Sequence, residues 1–79
     1  MKQLHRTINV LTNPQGHPSG LNGPQKPIAV RQILDFWRYG GRWWLDEPPR
    51  DYYRLELETG HIVEVYHAAD QWVLARVSD

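Results

Sequence analysis

The chain has 79 residues, a formal net charge of zero, 41% hydrophobic residues and no cysteine. That length makes one domain, 1–79, and a chain of this size buries only roughly 60% of its extended surface, so its core is thin. The lack of cysteine excludes a disulfide framework, a thiolate metal site and a cysteine nucleophile. No apolar run approaches the ~20 residues that span a bilayer, and Met1-Lys2-Gln3-Leu4-His5 is no secretory signal. Cytoplasm is therefore the expected location, with no membrane partner.

The zero sum hides an asymmetry. Through Leu45 the basic residues are Lys2, Arg6, Lys26, Arg31, Arg38 and Arg42, against the single acid Asp35. From Asp46 onward Arg50, Arg54 and Arg76 stand against eight acids. Such halves can attract each other within one domain or between two copies, or leave a local basic stripe. The neutral total argues against strong autonomous DNA binding, which goes with a clearly basic domain.

In chain order, Leu4–Leu11 alternates around Ile8 and Val10 and reads as a first strand. Asn13-Pro14-Gln15-Gly16 ends it, and residues 12–27 form a Pro/Gly-rich stretch with Pro14, Pro18, Pro24 and Pro27 beside Gly16, Gly20 and Gly23. Within it, Asn22-Gly23 can turn a short hairpin between Ser19-Gly20-Leu21 and Lys26-Pro27-Ile28; otherwise the stretch is a long, mobile surface loop. Ile28–Phe36 is ambiguous. Ile28 and Val30 suggest a strand, whereas Val30, Ile33, Leu34 and Trp37 fit a helical face. The expectation is a strand interrupted by one short helical turn or a bulge within residues 31–36.

Phe36-Trp37-Arg38-Tyr39-Gly40-Gly41-Arg42-Trp43-Trp44-Leu45 holds three of the four tryptophans. Gly40-Gly41 predicts a two-residue primed hairpin turn, because glycine adopts positive φ without steric cost. Arg42–Leu45 is then a strand, and Asp46-Glu47-Pro48-Pro49 a loop. Tyr52–Glu58 alternates, with Tyr53, Leu55 and Leu57 on one face. Thr59-Gly60 turns the chain, His61–Tyr66 returns, His67-Ala68-Ala69-Asp70 turns again, and Gln71–Val77 is the last strand. Short, closely spaced strands with tight turns predict a mainly β fold, a small antiparallel barrel or half-open β-roll of five to seven strands.

The ingredients of catalysis are sparse. His5, His17, His61 and His67 match no metal-ligand spacing, and His61 and His67 end one strand about 20 Å apart. Glu56, Glu58 and Glu64 read as the solvated face of a hairpin, paired across strands with Arg54 and Arg76. There is no glycine-rich phosphate loop and no nucleophile elbow around Ser19 or Ser78. No cofactor, metal or enzymatic role is expected. Trp37, Tyr39, Trp43 and Trp44, with Arg31, Arg38, Arg42, Arg50 and Arg54, support three readings. They can be core aromatic residues with arginines stacked on their edges, an anchor surface for a protein, or planes for bases with guanidiniums for phosphates. On a hairpin Trp43 and Trp44 point to opposite faces, so both cannot be core.

The set Val30-x-x-Ile33-Leu34-x-x-Trp37-Arg38-x-x-Gly41-x-Trp43-Trp44, Arg50-Asp51-Tyr52-Tyr53-Arg54-Leu55, Gly60-x-x-x-Glu64-Val65-Tyr66 and Trp72-x-Leu74-x-Arg76-Val77-x-Asp79 resembles a family of small bacterial domains of unknown function, DUF6504. Similar segments occur at the C-terminal end of Y-family, error-prone DNA polymerase homologues. The likeness covers Lys26–Asp79. Upstream, Gly16-His17-Pro18 fits the family's turn, but Ser19–Gly23 lacks the aromatic strand that follows it there. The resemblance implies an accessory module in DNA repair or translesion replication and brings no catalytic residues. Together these readings expect contact with a DNA polymerase or repair protein through Trp37, Arg38, Arg42, Trp44, Tyr52 and Arg54. The alternatives are weak single-stranded DNA binding by the same residues, and a homodimer through opposite-charge halves or free sheet edges.

Overall fold

A computed structural model describes residues 2–22, 26–41 and 43–78, the side chains of residues 2–5 and 43 excepted. Seven antiparallel strands form one curled sheet, an open half-barrel. They are β1 (Lys2–Ile8), β2 (Val10–Thr12), β3 (Pro18–Asn22), β4 (Pro27–Tyr39), β5 (Arg50–Leu57), β6 (Ile62–Ala68) and β7 (Gln71–Ser78). Their order across the sheet is β1-β7-β6-β5-β4-β3-β2. Only Asn9 separates β1 from β2, which lie at opposite ends of that order, so the sheet must curl until its two ends meet there. The Asn22 amide donates to the Asn9 carbonyl at 3.0 Å, continuing the β2–β3 ladder up to that junction.

The curl creates an inside. Alternation on β5 places Tyr53, Leu55 and Leu57 on the inner face, opposite Val65 and Val63 of β6, and Leu55 and Val65 are fully buried. Ile8, Leu21, Ile28, Val30, Trp72, Leu74 and Val77 pack around this cluster, one or more from β1, β3, β4 and β7. The β5–β6 turn uses Gly60 at φ +91°, and the β6–β7 turn uses Ala69 and Asp70, both left-handed. Two successive residues with positive φ match the twist of a tight hairpin.

Three expectations need correction. The Gly40-Gly41 pair is not a hairpin turn: Tyr39 pairs with Arg50, so the β4–β5 connection is the longer loop 40–49. Residues Trp43–Leu45 are a 3₁₀ turn at that loop's apex and not a strand, so the opposite-face argument for Trp43 and Trp44 lapses. Of the two alternatives for residues 31–36, the helical turn is replaced by the bulge: β4 is a strand throughout, with register shifts between Val30 and Gln32 and between Ile33 and Asp35. Between residues 12 and 27, β3 pairs with both β2 and β4, and the Asn22↔Pro27 pair closes the hairpin around the undescribed residues 23–25.

The helical look of 30–37 has a physical origin. Val30 pairs with Leu57, Gln32 with Glu56, Ile33 with Leu55 and Asp35 with Arg54, so Arg31 and Leu34 are extra residues on the β4 side. Each bulge stretches the strand's period of two to three. Val30, Ile33 and Phe36 consequently reach the same inner face, opposite Leu57, Leu55 and Tyr53.

Candidate interaction surface

Strand β4 changes partner along its length, and only Ala29 is engaged on both sides, by β3 and by the Glu58 amide. Strand β3 meets it at Pro27, Ile28 and Ala29, and beyond these residues β4 runs on to Tyr39 with β5 alone. Residues 31–39 thus form an open sheet edge, with no strand beyond it among the described residues. Apolar side chains stand exposed along it and on the loop that follows: Ile33, Leu34, Phe36, Trp37, Tyr39, Trp44 and Leu45. Phe36 is 52% exposed, Trp37 36% and Trp44 62%.

Two ladders of rings cross the sheet and both end at this edge. On the inner face Phe36 lies 4.9 Å from Tyr53, Tyr53 5.6 Å from Trp72, and Trp72 4.8 Å from His67. On the outer face Trp37 stacks on Tyr52, with centroids 5.3 Å apart and planes within 4°. Tyr52 in turn meets Tyr66 at 5.0 Å. These are cross-strand neighbours at one level of the sheet, Trp37↔Tyr52↔Tyr66. Each such pair contributes about 0.5–1.5 kcal/mol beyond its buried area. The Arg50 guanidinium sits 4.9 Å above the Tyr66 ring and 6.0 Å from Tyr39, and its Nη1 donates to the Tyr52 hydroxyl at 3.2 Å. That hydrogen bond, against partial burial, raises the Arg50 pKa above its ordinary value.

The other arginines are matched to carboxylates. Arg38 binds Asp51 with both ends, Nε to Oδ1 at 2.7 Å and Nη2 to Oδ2 at 3.3 Å, and this contact raises its pKa. Arg54 donates to the buried Glu64 at 3.1 Å, while Arg76 approaches the second Glu64 oxygen at 3.9 Å. Arg31 reaches Glu56 at 3.3 Å. Around the Arg54–Glu64–Arg76 group the outer face holds two open depressions of about 430 and 250 Å³. Replacing Glu64 by Gln leaves two cations facing a neutral group. Because both guanidiniums are partly in solvent, the expected loss of stability is about 1 kcal/mol, read from a urea midpoint.

On the inner face burial raises the Tyr53 phenol above its ordinary pKa, with Asp51 adding to the effect and Arg38 opposing it. The folded state then holds this proton to higher pH than the unfolded chain. Stability is unaffected below the ordinary tyrosine range and falls as pH rises through it. Tyr53→Phe should flatten that alkaline slope, as measured by denaturant midpoints from pH 8 to 11.

Of the residues singled out in sequence, Trp37, Arg38, Tyr52 and Arg54 come together on the β4–β5 pair. Trp44 lies on the 3₁₀ turn of the following loop, and Arg42 lies outside the described residues. Sequence reasoning missed Phe36, Ile33 and Leu34 as surface residues; Tyr39 stood in the aromatic–arginine set but not among the expected contacts. Their exposure follows from where β3 stops, which no local pattern marks. It also missed Tyr66, although the Tyr52–Tyr66 pair follows once the β5–β6 turn is placed at Thr59-Gly60, and it listed Arg50 without its place over Tyr66.

Among the described residues, no three His, Asp or Glu side chains gather at metal-binding distance, and no helix is long and apolar enough to cross a membrane. Comparisons with protein-family models, characterised proteins and solved structures find no match to this chain.

Proposed function

We propose that this chain is a non-enzymatic interaction module that contacts a protein partner through the open edge of β4. The observation that carries this reading is the coincidence of an unpaired edge with exposed apolar side chains on both faces of one strand. Exposed edges of this kind accept an added strand, the backbone supplying affinity and alternate side chains specificity. Trp37 and Phe36 are the anchors, and Trp44 and Leu45 extend the apolar surface onto the loop. The resemblance to polymerase-associated bacterial domains supports a cytoplasmic DNA-repair or translesion setting, with a DNA polymerase or repair protein as partner.

A second reading, weak binding of single-stranded DNA, draws on the open flank of the Trp37 ring beside Tyr52 and Arg50. Pairing of Arg31, Arg38, Arg54 and Arg76 with Glu56, Asp51 and Glu64 weakens it, since those guanidiniums already face carboxylates.

Selection of linear peptides from a random display library separates the two. The interaction reading expects peptides with apolar residues in extended spacing, bound by the wild type and weakened at least about tenfold by Trp37→Lys. Failure to enrich any peptide, together with salt-sensitive binding of a labelled oligonucleotide, would replace it with the nucleic-acid reading.

A further inference from the structure

We infer that a second copy of this chain occupies the β4 edge, pairing antiparallel with Asp35–Tyr39 about a two-fold axis at Trp37. The inference rests on the reading of β4 as a contact strand and names its occupant in the protein by itself, which a polymerase or repair protein binding the same edge displaces.

The bulges fix the usable segment. Arg31 and Leu34 interrupt the first part of the open edge, leaving Asp35–Tyr39 as the regular, continuously paired stretch. Its centre is Trp37. Backbone direction agrees with an axis there. The Glu58 amide donates to Ala29 of β4, and the Leu57 amide donates to His61 on the β6 side. Backbone groups alternate sides along a strand, so even-numbered residues of β5, Tyr52 among them, face β4. Trp37, opposite Tyr52, directs its N–H and C=O inward to β5, and Phe36 and Arg38 direct theirs outward. Consistently, the Phe36 amide is taken by its neighbour's side chain, the Asp35 carboxylate, at 2.9 Å.

An antiparallel partner centred on Trp37 is self-complementary at every position. Trp37 meets Trp37 of the partner subunit as a non-hydrogen-bonded pair, the closer type. The outer ladder then runs unbroken through both copies. Phe36 meets the partner's Arg38 on the inner face, a cation beside a ring, and Asp35 meets the partner's Tyr39 hydroxyl on the outer face. The Phe36 and Arg38 backbone groups of the two chains bond each other, the Asp35 carboxylate giving way. A register centred on Asp35 instead would oppose two carboxylates, which is unfavourable. The stretch contains neither the lysine nor the proline with which edges are commonly blunted.

Sedimentation equilibrium from about 1 μM to 1 mM should give a dimer whose fraction rises with concentration. Arg38→Pro removes an amide that β5 does not use, and the variant should keep the wild-type far-UV spectrum yet stay monomeric. Arg38→Ala, which keeps that amide, should still dimerise. The absence of native cysteine allows a direct test of register. Trp37→Cys should form a disulfide-linked dimer on mild oxidation, because Cα atoms of such a pair lie about 4.5 Å apart. Tyr39→Cys, four residues from its own symmetry mate, should not. A wild type monomeric throughout, an Arg38→Pro variant that dimerises as well as wild type, or linkage through Tyr39→Cys in place of Trp37→Cys would overturn the inference. A monomer that still binds selected peptides in a Trp37-dependent way would reject the second copy while leaving the contact strand intact. A monomer that binds none would reject both.

Discussion

Leu55→Ala is expected to lower stability by about 2–5 kcal/mol, the largest effect of any single change considered. Leu55 is 0% exposed and sits at the centre of the inner face, opposite Ile33 on β4 and Val63 on β6. Truncation removes its transfer free energy and leaves a cavity that β5, held by β4 on one side and β6 on the other, cannot collapse to fill. For a domain of this size the total stability is about 4–12 kcal/mol, so one such loss is a large share of it. The melting temperature should fall by about 10–25 °C. Calorimetry of the variant checks this; a fall of under about 4 °C would mean that the inner face is not the principal core.

Gly41→Ala is the second large effect, and Gly40→Ala its control. Gly41 has φ +74°, and a Cβ there would lie 2.7 Å from the Glu47 carbonyl oxygen and 2.9 Å from that of Pro48. Both are backbone atoms, so nothing flexible can yield. The loop 40–49 folds back on itself at this contact, which holds the 3₁₀ turn carrying Trp44 and Leu45 in place. The alanine variant should lose about 1–3 kcal/mol and shift the tryptophan emission as the loop rearranges. At Gly40 a Cβ meets open space, so Gly40→Ala should change stability by no more than about 0.5 kcal/mol. Equal effects at the two positions would refute the back-folded loop.

The same glycines show where sequence reading succeeds and where it stops. Positive φ at Gly41 is what the Gly40-Gly41 pair suggested, but the turn type depends on where the next strand finds its partner. Tyr39 pairs with Arg50, eleven positions on, a distance local residue types do not encode. The β5–β6–β7 meander was legible because period-two alternation and Thr59-Gly60 both operate within a few residues. Strand β4 was only half legible. Two bulges turned its period from two to three and imitated a helix, and a bulge is defined by the facing strand. The candidate surface followed the same division. Trp37, Arg38, Tyr52 and Arg54 could be singled out from composition, whereas the ion pairs that neutralise Arg38 and Arg54 depend on the cross-strand register. Even less visible was the open edge, since it exists only because β3 ends its pairing at Ala29.

Amide hydrogen exchange at Phe36, Trp37 and Arg38, followed by NMR in dilute and concentrated protein, tests the central claim most directly. The account predicts that Trp37, bonded to β5, is protected at both concentrations. Phe36 and Arg38 should exchange faster when dilute and become protected as the β4 edge is filled. Phe36 and Arg38 amides as protected as Trp37 in dilute, monomeric protein would contradict it, for the edge would then already be closed within one chain.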